Sequence, residues 1–414
     1  MKRLYLLTKS FPYGKGEKSF ILPELNYLKE EFDITILSLA TEAEKNNITL
    51  TTQLSKDIEV RQLSRLMHPI KKLYLLFVAH FHIELWREYG KIFRSKKNRI
   101  KNMYVAASFY RYGLLFYYQL KKMPLDLTKE TIFYSYWYSY QALSLVLLKK
   151  KYPDIRIITR AHGYDLYNER TANGRQPFKE YMSNKLDGIF FIAEEGYRYY
   201  KDTFLNGKEL DTFHISRLGV PPKSKRNPLN HSDIFELVSC SSVIPVKRVE
   251  LIIQALVHIK KAKVHWTHFG DGKCMDTIQK LSKELLDSKA NITYSLLGHV
   301  SNSDIMEYYV ENTVDCFILT SSSEGIPVSI QEALSYGIPI IGTDVGGLSE
   351  TIDGNGILLS SNPSIPDITR ALEKMIELEQ NDKILMRERS YQIWREKFDS
   401  DKNYKSFVEQ LMEI

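Results

Sequence analysis

Cysteine is scarce: Cys240, Cys274 and Cys316 are the only three in a chain of 414 residues. An odd number at wide spacing builds no disulfide framework, so a reducing compartment is expected, and no metal-ligand spacing includes them. Small buried residues are their plain reading. Long apolar runs are missing as well. The run Leu4 to Leu7 stops at Thr8-Lys9, shorter than the apolar core of a secretory signal. The stretch LYLLFVAHFHIELW at 73–86 is interrupted by His80, His82 and Glu84, where a bilayer span needs about 20 apolar residues. A soluble, cytoplasmic chain is expected. There is no low-complexity segment and no short fixed repeat, as expected of an ordered globular protein. Acidic residues are missing from one region: 61–125 holds 14 Lys and Arg against Glu84 and Glu88 alone. Tyr, Phe and Leu are interleaved there. Two ordinary amphipathic helices with solvated lysines would read this way, and so would a surface that meets nucleic acid or an anionic membrane. No nucleic-acid motif accompanies it, so the membrane face is the expected partner and nucleic acid is not.

What is present is alternation. Short β-like runs at 2–8, 33–39, 131–135, 155–159, 188–192 and 212–218 are separated by helical patterns, the signature of parallel strands covered on both faces. The stretch GVPPKSKRNPLNHSD at 219–233 is rich in Pro, Asn, Ser and charge and reads as a linker. After it the alternation restarts at 235–242, 263–269, 292–297, 314–320 and 338–343. The expected class is α/β, with two doubly wound Rossmann-like domains, 1–218 and 219–390, facing a cleft. Residues 391–414 are expected to form a helix that packs back on the first domain, with Trp394 and Phe398 as anchors.

The stretch SSSEGIPVSIQEALSYGIP at 321–339 places Glu324 and Glu332 on either side of a predicted helix start. Gly325 permits close backbone approach, and Pro327 suits the first turn. The free amides of such a start favour an anion. Glu332 lies roughly 7–8 Å further along the helix at 1.5 Å per residue. Two carboxylates flanking an amide-rich turn match a sugar nucleotide, with hydroxyls at both ends and a diphosphate between them. Taken singly, each glutamate reads as well as a solvated or dipole-favouring side chain.

The string E-G-x-P, seven residues between the glutamates, then GIPIIGTDVGG resembles the signature of retaining glycosyltransferase family four, with its two-Rossmann GT-B architecture. FPYGKGEKSFILPEL at 11–25, RAHGYDLY at 160–167, IPVKRVELIIQAL at 244–256, FGDGKCMDTIQKL at 269–281 and LGHVSNSDIMEYY at 297–309 are similar to the other family segments and follow in family order.

The resemblance implies a nucleotide-diphosphate sugar as donor, no metal, and a glycan or lipid-linked acceptor in cell-surface polysaccharide synthesis. It puts Glu324 on the donor sugar and Glu332 on the ribose. Gly325, Ile326, Pro327 and Val328 would line sugar and phosphate, and Lys247 would balance the leaving diphosphate. Gly14 and Gly16 would approach the phosphates. Gly298, His299 and Val300 would meet the base, and His162, oriented by Asp165, the sugar. The family's phosphate-binding Arg is replaced by Ser242, leaving Arg248 to supply the second charge. Asp399-Ser-Asp401, near the tail, reads as solvated surface. An epimerase or hydrolase acting on the same donor, or an idle sugar-nucleotide-binding scaffold, is compatible with the same residues.

Overall fold

Strands rich in Ile, Leu, Val and Phe alternate with helices, and the parallel pairing of those strands builds two sheets. The computed structural model describes residues 1–14, 17–41, 54, 58–95 and 98–414. The chain divides into two compact units, one of Met1–Ser216 with Tyr404–Ile414, the other of Arg217–Asn403.

In the first unit the chain runs β1 (Lys2–Thr8), α1 (Lys18–Glu31), β2 (Phe32–Ser38), β3 (Glu59–Gln62), α2 (Pro69–Ala79), α3 (Ile83–Arg94), α4 (Arg99–Leu120), β4 (Thr131–Ser135), α5 (Tyr140–Lys149), β5 (Arg156–Ala161), α6 (Lys179–Ser183), β6 (Gly188–Phe191), α7 (Glu194–Leu205) and β7 (Phe213–Ile215). The sheet order is β3-β2-β1-β4-β5-β6-β7, all parallel. Its two faces are packed by separate apolar clusters. One is built on Leu7, Phe133 and Ile157, the other on Leu6, Ile132 and Ile158.

The second unit runs β8 (Ile234–Cys240), α8 (Glu250–Leu256), β9 (Lys263–Phe269), α9 (Met275–Leu286), β10 (Ile292–Leu296), α10 (Asn302–Glu311), β11 (Cys316–Leu319), α11 (Val328–Ser335), β12 (Ile340–Thr343), β13 (Gly356–Leu359), α12 (Ile365–Ile376) and α13 (Gln380–Ile393). The order is β10-β9-β8-β11-β12-β13, again all parallel. In each sheet the strand order reverses once, between β1 and β4 and between β8 and β11. Ligands of open α/β sheets bind outside the strand carboxyl ends at that reversal.

β3 and β13 are absent from the sequence reading. β3 is EVRQ, a charged edge strand with no apolar alternation, and charge of this kind blunts a sheet edge. Trp394 and Phe398 are buried as anchors, but inside the second unit. The Trp394 indole donates to Val220 O at 3.3 Å, and Val220 N–H to Phe398 O at 3.0 Å. The part of the tail that belongs to the first unit begins at Tyr404. It lies on α14 (Ser400–Glu413), whose Phe407, Val408 and Leu411 join the cluster of Tyr134, Ile158 and Phe190. Asp399 Oδ1 accepts from Asp401 N–H at 3.0 Å, so this Asp-x-Asp caps α14.

Candidate functional site

In the second unit the loops that leave β8 and β11 lie side by side at the reversal and are stitched together. Ser322 N–H donates to Val246 O at 2.8 Å, and Thr320 Oγ1 to Arg248 O at 2.9 Å. This stitching brings Lys247 and Glu324, 77 residues apart, into a hydrogen-bonded ion pair. Glu324 is 5% exposed. An ion pair taken this far out of water interacts much more strongly than a surface pair, and it leaves either partner costly to remove. Arg248 has backbone φ +51°. Its guanidinium donates to Thr320 O at 2.7 Å, Ser321 O at 2.8 Å, Ser361 O at 2.9 Å and Asn362 Oδ1 at 3.1 Å. Its side chain thus braces the loop that carries Glu324; the sequence reading expected it to supply the positive charge missing at Ser242.

The loop runs through Gly325, whose carbonyl accepts from Gly347 N–H at 2.8 Å, and buried Ile326 into α11. Pro327 is the residue before the helix and provides no side-chain cap. The first amides, from Val328 on, therefore receive no help from a capping side chain and form an anion-favouring helix start. One turn further, Glu332 is 9% exposed, and its Oε1 accepts from Asn302 Nδ2 at 2.7 Å. Burial pushes its carboxyl up to about 7, against the opposing effects of Asn302 and Lys223. Cys240, at the end of β8, is pushed up to about 12 by burial and by Glu332. It is a half-buried thiol held in its protonated form, not a reactive one.

Gly270 follows β9 with φ +143°, and a Cβ there would stand 1.8 Å from Ser241 O, so only glycine fits. Its N–H donates to Gly298 O at 2.8 Å. This bond pins the segment that carries Gly298, exposed His299 and half-buried Val300 to the loop after β9. Among the described residues, no group of three or more His, Cys, Asp or Glu side chains is disposed to hold a metal.

The first unit gathers a second set of groups at the carboxyl ends of β1, β4 and β5. Gly14 N–H donates to Ser10 O at 2.9 Å, closing the turn after β1; Gly16 lies outside the described residues. Glu17, which the sequence reading passed over, organises this turn. Its carboxylate accepts from the N–H of Lys9 at 2.9 Å, Phe11 at 2.8 Å and Ser10, and from the Trp137 indole. Trp137, after β4, lies 4.5 Å from the ring of His162, after β5. Asp165 accepts from His162 N–H at 2.7 Å and from Tyr138 N–H at 2.6 Å, so it fixes the backbone on both sides of the imidazole. Burial pushes the Asp165 carboxyl up, but the His162 ring and Lys179 outweigh this and hold it below the usual range. Lys179 is buried, and its ammonium donates to the carbonyls of Tyr138 and Asp165.

Burial pushes the Lys179 ammonium down to about 7, with Asp165 opposing. An unfolded lysine keeps its proton to above pH 10, so between about 7 and 10 the unfolded chain binds more protons and stability rises with pH. Chemical denaturation of the wild type is expected to show a gain on the order of 2 kcal/mol between pH 7 and 9, and Lys179→Met should lose it. Equal slopes in the two proteins would place the proton elsewhere.

Residues 222–392 match the family model described as glycosyl transferases group 1. The O-antigen biosynthesis glycosyltransferase WbnH of Escherichia coli is 35% identical over 226 residues, covering 54% of this chain and 61% of that protein. The putative teichuronic acid biosynthesis glycosyltransferase TuaC of Bacillus subtilis is 32% identical over 151 residues, covering 35% and 39%. With the GtfA subunit of a UDP-N-acetylglucosamine–peptide N-acetylglucosaminyltransferase of Streptococcus agalactiae the match spans 26% of that protein, so the chain spans only part of the relatives it matches. Among solved structures, HepE of Anabaena in complex with UDP and glucose superposes with TM-score 0.67 at 14% identity over all of both chains. The lipopolysaccharide outer core galactosyltransferase WaaB superposes with TM-score 0.65 at 17% identity over 99% of each. The fold of this chain is therefore GT-B, two Rossmann-like parallel-sheet units, and its residues 222–392 match glycosyl transferases group 1.

Proposed function

We propose that this protein is a retaining glycosyltransferase that moves a sugar from a nucleotide-diphosphate donor to a glycan or lipid-linked acceptor in the synthesis of a cell-surface polysaccharide. The observation that carries this reading is the pair of half-buried Lys247 with buried Glu324 beside the uncapped start of α11, with buried Glu332 one turn along the same helix. A cation, a row of amides and two carboxylates together suit a diphosphate with a diol at either end. HepE is also known in complex with UDP-glucose, a compound of that class, and O-antigen biosynthesis is the work named for WbnH.

In this reading the diphosphate takes the α11 amides and Lys247, and Glu324 turns to the sugar hydroxyls. Glu332 exchanges Asn302 for the ribose diol. Departure and attack occur on one face of the sugar, with Lys247 balancing the charge that develops on the leaving diphosphate, and no metal is needed. His162, held by Asp165, serves the sugar, and the basic stretch 61–125 serves an anionic membrane that carries the acceptor.

Donor binding tests the assignment of Glu332. A diol is bound by the ionised carboxylate, and ionisation is incomplete below about pH 7. Affinity for a nucleotide-diphosphate sugar is expected to rise with pH from 6 to 8. Glu332→Gln should lose about tenfold at pH 8, equivalent to ~1.4 kcal/mol, and lose the pH dependence. A panel of uridine and guanosine diphosphate sugars read by calorimetry provides the measurement. Unchanged affinity in the variant would remove Glu332 from the ribose.

A further inference from the structure

The helix α2 is apolar on two opposite faces. Leu75 and Ala79 are buried in the core of the first unit. Turned away from them, Ile70, Leu73, Tyr74 and Phe77 are 71%, 69%, 59% and 63% exposed. Their spacing of three and four places them on one stripe. Leu66 before the helix and Phe81 after it, each 74% exposed, extend the stripe at both ends. Phe81 meets Phe77 edge to face at 4.9 Å. Beyond the turn, Trp86 of α3 is 53% exposed and ties back through its indole to His80 O at 2.7 Å. Single exposed apolar residues need no explanation, but a contiguous row of seven does.

Charge decides what covers this row. The only two acidic residues of 61–125 are not on the surface. Glu84 and Glu88 are 8% and 4% exposed and are paired with Lys150 and Arg175. Among the described residues of 61–125 the exposed charges near the row are therefore cations, Lys71, Lys72, Arg87 and Arg94, while Lys91 of α3 is paired with Glu180. Lys121 and Lys122, also exposed, follow α4 where Gln119 holds Ser64 by hydrogen bonds of 2.8 and 3.0 Å. A second copy of this surface would bring cations against cations. Nucleic acid would leave Leu66, Ile70 and Leu73 with nothing to bond or stack on. An anionic bilayer offers phosphates to the lysines and acyl chains to the row between them.

We infer that α2 is an interfacial membrane anchor that lies in the plane of an anionic bilayer, with Ile70, Leu73 and Phe77 inserted below the headgroups and the surrounding lysines at the phosphates. With 11 residues it is far too short to span. The inference deepens the reading of a membrane-borne acceptor, but it stands on surface chemistry alone. It gives the first unit an elongated hydrophobic contact line where the sequence offered only a basic, aromatic region.

Flotation with vesicles of phosphatidylcholine, with and without 30% phosphatidylglycerol, tests it without donor or acceptor. The protein is expected to float with the anionic vesicles at low salt and at least tenfold less with neutral ones. The double variant Leu73→Ser, Phe77→Ser should reduce binding to anionic vesicles at least tenfold. Lys71→Glu, Lys72→Glu should do so at low salt without touching the row. These side chains face outward, so unchanged thermal melting and unchanged affinity for the nucleotide sugar are expected. Absence of flotation, wild-type binding by both variants, or a stable dimer in light scattering without vesicle binding would each overturn the anchor. Donor affinity, measured separately, decides the glycosyltransferase reading on its own.

Discussion

Lys247→Met is expected to lower turnover by a hundredfold or more while donor affinity falls about tenfold. The asymmetry follows from where charge changes. A bound diphosphate ester already carries negative charge, which in the proposed reading the α11 amides share with Lys247, so losing the ammonium would cost the ground state one charge-assisted contact, about 1.5–3 kcal/mol at most. As the bond to the sugar breaks, a further charge develops on the diphosphate. A preorganised cation aimed at that position lowers the barrier by roughly 3–4 kcal/mol, or about 10²–10³ in rate. What supports this role is that Lys247 is held by the stitched loops after β8 and β11 and bonded to Glu324 beside the start of α11.

The substitution has a second effect. It leaves Glu324 buried without its cation, which is unfavourable whatever the donor does. Lys247→Met with Glu324→Gln separates the two. If Lys247 served only to neutralise Glu324, the double variant would turn over as fast as Glu324→Gln alone. The reading of Lys247 as leaving-group cation requires that it be slower than that single variant, with single-turnover rates as the measurement.

Much of the fold was legible because both domains obey one rule, that buried parallel strands read as short apolar runs. β1, β4 and β9 fall on KRLYLLT, TIFYS and KVHWTHF to the residue. β3 did not show because EVRQ is a charged edge strand without apolar alternation, and β13, GILL, is apolar but only four residues long. At the site, the glutamates and Lys247 were legible as a motif, because the loops after strands carry chemistry that core packing does not require.

The partners that fix those residues were not legible. Asn302 bonds Glu332 across 30 residues, Lys179 reaches the Asp165 loop from α6, and Glu17 gathers three amides of a turn that precedes it. Each is an ordinary polar residue in the sequence and acquires its role only when the sheet brings distant segments together. Arg248 shows the converse. Its type and place in the sequence pointed to phosphate, while the bonds of its guanidinium to loop carbonyls could be read only from the structure.

Arg160→Met is expected to destabilise the first unit by about 3–5 kcal/mol, the usual cost of leaving one member of a buried ion pair without the other. Arg160 is fully buried, two residues before His162. Its guanidinium meets Glu24 Oε2 at 3.1 Å, Tyr134 OH at 3.0 Å and Ser216 O at 3.2 Å, and lies 4.2 Å from the centre of the Phe407 ring on α14. One cation therefore ties α1, β4, β5, the chain beyond β7 and the C-terminal helix together. Burial already pushes the Glu24 carboxyl up, with Arg160 opposing. Without the arginine it should rise further and take a proton. A raised carboxyl contributes stability below its unfolded value that is lost as pH climbs through the folded one. The deficit of Arg160→Met should therefore be smaller at pH 5 than at pH 8. Glu24→Gln removes the stranded charge and is expected to recover more than half of the loss in the Arg160→Met background, while costing less alone than the arginine does. Strictly additive costs from denaturation of the single and double variants, with no dependence on pH, would mean that Arg160 acts through the Tyr134 and Ser216 hydrogen bonds and that its pairing with Glu24 is incidental.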